Sequence, residues 1–373
     1  MKQMVHKPGI SLRALLPAEH GPGGGRMESW RTYFPAAATL AVLGLGAWAG
    51  QLAGAPLGIV PAEHGAFMLW GVLGTGVMGF LYTAYAKQND ATLPGPLWLH
   101  GTLTLQGVGA LGLLGGAPAL ALPAWALLLG WCLRVAVPSL RRRWDDTTAA
   151  VPAVILAAIV GLAVHTTEAA PVGGLGPRIA VHGFLVPLAL AVLDRVLPFF
   201  SSRVTPGYAG GRAPWFLGPL VAVSWVGLLP LPGAAWAPVG LLGLLVRQWW
   251  AWRPWPAART PMILVLHLGV AWFAVGWGLA WAGASASVVT HALVLGGLGS
   301  LLLAISMRVV RGHGGLPLEL GFAGVGIVVL GHTATVLRLL GVPLTWAAAA
   351  LIAAFALWLV RFAGTCLRVK SAL

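Results

Sequence analysis

The chain has 373 residues, 58% hydrophobic and only 9% charged, where a soluble globular domain carries about 25% charged residues. That composition excludes an ordinary soluble fold, and the continuous apolar runs exclude a β-barrel, whose strands alternate. The formal charge of +14 is spread over the loops between the runs, which reads as topology rather than as a nucleic-acid footprint.

Taken in chain order, residues 1–32 are Gly/Pro-rich and polar, without an apolar run ahead of a cleavage site, and are expected to form a disordered cytoplasmic tail. A single transmembrane domain, 33–373, follows. Its spans are predicted near 33–54, 64–86, 97–115, 119–137, 150–169, 178–199, 215–231, 233–246, 261–283, 287–309, 319–340 and 342–363. The fold class is therefore all-α, a polytopic bundle of about twelve membrane helices, the seventh and eighth being short. With the N-terminus inside, 21 of the 23 Lys and Arg fall in inner loops and only Arg178 and Arg338 lie outside. This places both termini in the cytoplasm and the protein in a bacterial-type inner membrane. The loop "RQWWAWRPWPAART" (247–260) reads as an inner-leaflet anchor. Cys132 and Cys366 are expected as free thiols. No CxxCH is present, so a covalently attached c-type haem is excluded.

The histidines carry the chemistry. His64, His165, His182, His291 and His332 come from five helices and fall in the outer half of the bundle. Imidazole is the commonest side-chain metal ligand and suits iron and copper. Ionisable groups inside membranes mark cofactor sites or pathways. A metal or haem site, a proton or substrate pathway and plain packing are the readings open at this point. Glu63 and Glu168 are equally carboxylates to orient an imidazole or interface charges. His100 and His267 lie in inner halves and are a candidate axial pair for a second, inner site. Arg195, Arg308 and His313 lie at the inner face; 17 residues, or ~25 Å of helical rise, separate His291 from Arg308. They either clamp helix ends or bind a carboxylate such as a haem propionate. Gly296, Gly297, Gly299 and Ser300 leave room after His291 for a macrocycle or a neighbouring helix.

"HALVLGGLGSLLLAISMRVVRGHGGLPL" (291–318) resembles the signature of the NnrS family, with Leu316 where the family has Arg. "DRVLPFF" (194–200), the segment around His267 and "GFLYTA" (79–84) are similar to further motifs of that family. Aligned on "GFLYTA", the family's His-x-His-Glu becomes His64-Gly65-Ala66-Phe67, which keeps the first histidine and lacks the second and the glutamate. The resemblance implies a membrane protein carrying haem b and copper, linked to nitric oxide, with the lipid bilayer and a small gas as partners. If it turns over, it is an oxidoreductase acting on nitrogen oxides and needs an electron donor. The alternative is a proton- or metal-ion-coupled transporter with a histidine-lined pathway.

Overall fold

The computed structural model describes residues 28–167, 174–213 and 215–368. Apolar runs become helices because a backbone without water must satisfy its hydrogen bonds within the segment. Twelve principal helices result: α1 (Trp30–Leu52), α2 (Pro61–Gln88), α3 (Pro96–Leu114), α4 (Pro118–Arg142), α5 (Asp146–Thr167), α6 (Leu175–Val204), α7 (Leu217–Val226), α8 (Ala237–Ala251), α9 (Pro261–Trp281), α10 (Ala286–Gly314), α11 (Gly321–Leu339) and α12 (Leu344–Leu367). Proline opens α2, α3 and α9, where its missing N–H has no helical partner to lose. Gly315, at φ 71°, closes α10 in the left-handed conformation.

Ten of these helices are long and apolar enough to cross a membrane; α7 and α8 are not among them. The ten residues of α7 rise only ~15 Å against a hydrocarbon core of ~30 Å. The predicted seventh and eighth spans are thus a hairpin of shorter helices. Because they come as a pair, the side assigned to every later loop is unchanged. The bundle has a basic end, which holds most of the Lys and Arg, and a far end. α1 starts at Trp30, three residues before the predicted edge. Residues 1–27 of the expected tail lie outside the described residues. Cys132 and Cys366 are free and buried.

Most consecutive helices pack side by side, and α12 packs on both α11 and α1, which closes the ring. Three helices occupy the middle. In α2, α6 and α10, 83%, 67% and 67% of the most apolar 18 residues are buried, against 28–56% in the other seven full-length helices. These three also share an irregularity. Each carries a π-helical segment towards its far end: 67–73 in α2, 179–185 in α6 and 292–299 in α10. α2 has a second one at 81–85. In α6 the cause is visible, since Pro187 has no N–H to offer the carbonyl of Gly183. The π segment of α6 packs against those of both α2 and α10.

Candidate metal centre

The three central helices run in the same direction, and their contacts fix their relative depth. A Cβ on Gly76 of α2 would lie 2.5 Å from Leu302 of α10, and Arg308 of α10 stacks 3.9 Å above the ring of Phe200 of α6. Counting back towards the far end, His64 lies twelve residues from Gly76 and His291 eleven from Leu302. His182 lies eighteen residues from Phe200 and His291 seventeen from Arg308. The three histidines therefore stand within about one residue of the same level, each in or beside a π segment. Such segments concentrate at functional sites. His64 and His291 are close enough for the charge of one to act on the other. Among the described residues, no three His, Cys, Asp or Glu side chains converge closely enough to hold one ion as they are placed.

His291 is held in the form a metal requires. Its Nδ1 lies 2.6 Å from the carbonyl oxygen of Ser287. A carbonyl only accepts, so Nδ1 carries the proton and the Nε2 lone pair of the neutral ring is left for a ligand. Ser287 is itself held, because Arg338 Nη2 donates to its Oγ at 2.8 Å. His64 is braced differently, stacked 4.6 Å from Trp48 at an interplanar angle of 13°. Arg178, one turn before His182, is near enough to act on that ring electrostatically and also donates to the carbonyl of Gly227. Among the described residues, Arg178 and Arg338 are the two cations at the far end, and each stands beside one histidine of the level.

The other histidines are arranged otherwise. Trp272 Nε1 donates to His332 Nδ1 at 2.9 Å, and Trp249 Nε1 donates to His267 Nδ1 at 3.0 Å. An indole N–H only donates, so both rings carry their proton on Nε2 and offer no lone pair there. In both, Nε2 is buried without a partner. His332 also lies beside Ser300, nine residues past His291 and therefore ~13 Å deeper by helical rise. His165 packs against Gly176, six residues before His182 and ~9 Å nearer the far end. His100 is exposed on α3, whereas His267 is only 2% exposed, so the two do not form a facing pair. The glycines after His291 are filled by protein: a Cβ on Gly296 would lie 2.5 Å from the ring of Trp272, and one on Gly297 2.3 Å from that of Phe273. Close helix approach, not a macrocycle, occupies that face. Glu63 accepts from the backbone N–H of Val60 at 3.0 Å and so caps α2 instead of orienting His64. Glu168 lies outside the described residues.

At the basic end, Arg195 pairs with Asp145. Arg212 pairs with Asp194 and, at 3.7 Å, with Asp145. Gln248 Nε2 donates to Asp194 at 2.9 Å. His313 Nδ1 lies 3.3 Å from Glu28, which also takes Lys87 at 2.7 Å and Trp30 at 2.6 Å. Arg195 and His313 thus clamp helix ends. Burial pushes the Glu28 carboxyl up, but His313 and Lys87 together hold it well below the usual carboxylate range. Burial likewise raises Asp145, and Arg195 overrides it, leaving the group lowered. The tryptophan-rich segment is mixed: Trp250 and Trp255 are exposed as an anchor would be, while Trp252 is fully buried and Trp249 bonds His267. No motif signals these tryptophan–histidine bonds, whose partners lie 18 and 60 residues apart.

A family model described as "NnrS protein" matches residues 27–373, nearly the whole chain. No curated protein matches the chain.

Proposed function

The chain belongs to the NnrS family, and from that premise we propose that it is a haem- and copper-binding membrane protein of nitric-oxide metabolism whose metal centre is built on His64, His182 and His291. Family membership supports the coarser part, a nitric-oxide-associated haem/copper membrane protein. One observation carries the finer part: the three most buried helices set their histidines at one level, with His291 committed through Nδ1 to the Ser287 carbonyl. The donor set fits copper, which takes two or three imidazoles, and fits an axial position of haem. When bound, either metal would supply the redox chemistry that no side chain here provides. His291 would hold the metal through Nε2, with His64, whose ring is braced on Trp48, and His182 as the other imidazoles of the level. Arg338 and Ser287 hold the tautomer and the ring orientation. Leu293, Phe184 and Trp70, all buried, follow the three histidines along their helices and would keep water from the centre.

With basic loops facing the cytoplasm, the centre lies in the outer half of an inner-membrane bundle whose termini are both cytoplasmic. The experiment is the visible spectrum and metal analysis of purified protein. A Soret band with stoichiometric copper is expected. A colourless, metal-free preparation that retains its fold would overturn the proposal and favour a histidine-lined transport pathway.

A further inference from the structure

Among the described residues, Arg308 is a buried charge without a polar partner. It sits in α10 six residues before the helix ends at Gly314, ~9 Å inside the basic end. It is 7% exposed. Its Nε and Nη1 are buried without partners, and among the described residues it makes no hydrogen bond or ion pair. Its one aromatic contact is the face of Phe200, at 3.9 Å. The acids that could neutralise it are engaged elsewhere: Glu28 with Lys87 and His313, Asp145 with Arg195, Asp194 with Arg212. Glu319 acts on Arg311. A buried cation with neither a counter-charge nor hydrogen-bond acceptors is among the most costly arrangements a protein can hold. Packing alone does not select arginine here, since a neutral chain of similar length would stack on Phe200 without that cost.

We propose that Arg308 is the floor of a binding site for a small planar oxyanion of the carboxylate class, reached from the basic end and separate from the histidine level. Two sequence motifs meet there: "SMRVV" supplies the cation and "VLPFF" the ring beneath it. A guanidinium presents paired N–H donors that match the two oxygens of a carboxylate or the edge of nitrate, and these bonds are charge-assisted. The stacked Phe200 holds the guanidinium plane in place, so little freedom is lost when the anion arrives. The site does not depend on the proposed metal centre, ~25 Å away by helical rise from His291.

The test is thermal unfolding of the purified full-length holoprotein titrated with sodium formate and sodium nitrate, against chloride at equal ionic strength. Wild type is expected to show a saturable rise with formate and nitrate but not with chloride. R308Q should weaken it about tenfold or abolish it, and R308K, which keeps the charge without the fork, should retain a weakened response. If the rise appears only after haem is extracted, a haem carboxylate already occupies Arg308, and the proposal of a site separate from the metal centre is overturned. A response to phosphatidylglycerol vesicles that depends on Arg308, with none to formate or nitrate, would overturn it in favour of a lipid phosphate. An identical response in wild type and R308K, or none in either, would also overturn it, leaving a hydrated clamp on Phe200. Should R308Q fail to fold, the wild-type anion selectivity and R308K still decide.

Discussion

Replacing Arg338 with glutamine isolates the support behind His291 without touching a ligand. Arg338 Nη2 donates to Ser287 Oγ at 2.8 Å, and the Ser287 carbonyl accepts from His291 Nδ1 at 2.6 Å. The first of these is a bond from a charged donor, worth roughly 1.5–3 kcal/mol. Only part of that reaches the metal, because the carbonyl remains and its bond to His291 is loosened instead of lost. Outer-sphere partners of ligating histidines typically contribute 10–100-fold in affinity. We expect the lower end, about tenfold, or ~1.4 kcal/mol. Copper affinity is measured by competition with a chromophoric chelator on purified protein, with haem retention scored alongside. Ser287→Ala keeps the carbonyl but removes the hydroxyl that Arg338 grips, so it should weaken binding similarly. The double variant should be no worse than either single one, because both break the same link. Arg141→Gln, exposed in the last turn of α4 at the basic end, should change nothing. Wild-type affinity in both Arg338→Gln and Ser287→Ala would refute the reasoning, as would losses that simply add.

Three further outcomes follow from the packing. Glu28 has a depressed folded-state pKa, so its contribution to stability is present above the unfolded value near 4.5 and is lost as pH falls; the unfolding temperatures of wild type and Glu28→Gln should differ at pH 7 and approach each other below about pH 4.5. Asp194→Asn removes the buried carboxylate shared by Arg212 and Gln248. It should cost about 1–3 kcal/mol, reduced because Arg212 is partly solvated, and it should lower the unfolding temperature of purified protein. Gly297→Val would force a side chain into the ring of Phe273, which a Cβ would already approach to 2.3 Å. Overpacking of that kind costs roughly 1–3 kcal/mol and should appear as reduced folded yield in size-exclusion chromatography.

The full-length helices were readable because a membrane span declares itself by the length of its apolar run, and ten such helices are present. α7 was placed but overextended, and α8 was begun four residues early and ended five short, since "GLLPLPGAAWAPVG" (227–240) is apolar yet too rich in Gly and Pro to continue a helix. The π segments left no periodic trace, because helices buried on all sides have no polar face to mark the turn. Depth counted along each helix puts His64, His182 and His291 in one layer, and the contacts between α2, α6 and α10 give the three the same level. The same count put His332 in that layer, whereas its contact with Ser300 sets it well below. Which ring nitrogen is free could not be read at all, since it depends on donors from distant segments, Trp249 and Trp272. Arg338 was visible only as an exception to the charge rule. Its hydrogen bond to Ser287 explains why a cation is kept on that side.

The most direct test of the central claim is copper and haem content per folded chain in five single variants: His64→Ala, His182→Ala, His291→Ala, His267→Gln and His332→Gln. The geometry predicts loss of metal in the first three, with His291→Ala the most severe, and wild-type content in the last two, whose Nε2 positions carry protons. Full content of both metals in well-folded His291→Ala, or loss confined to His267→Gln and His332→Gln, would contradict the account.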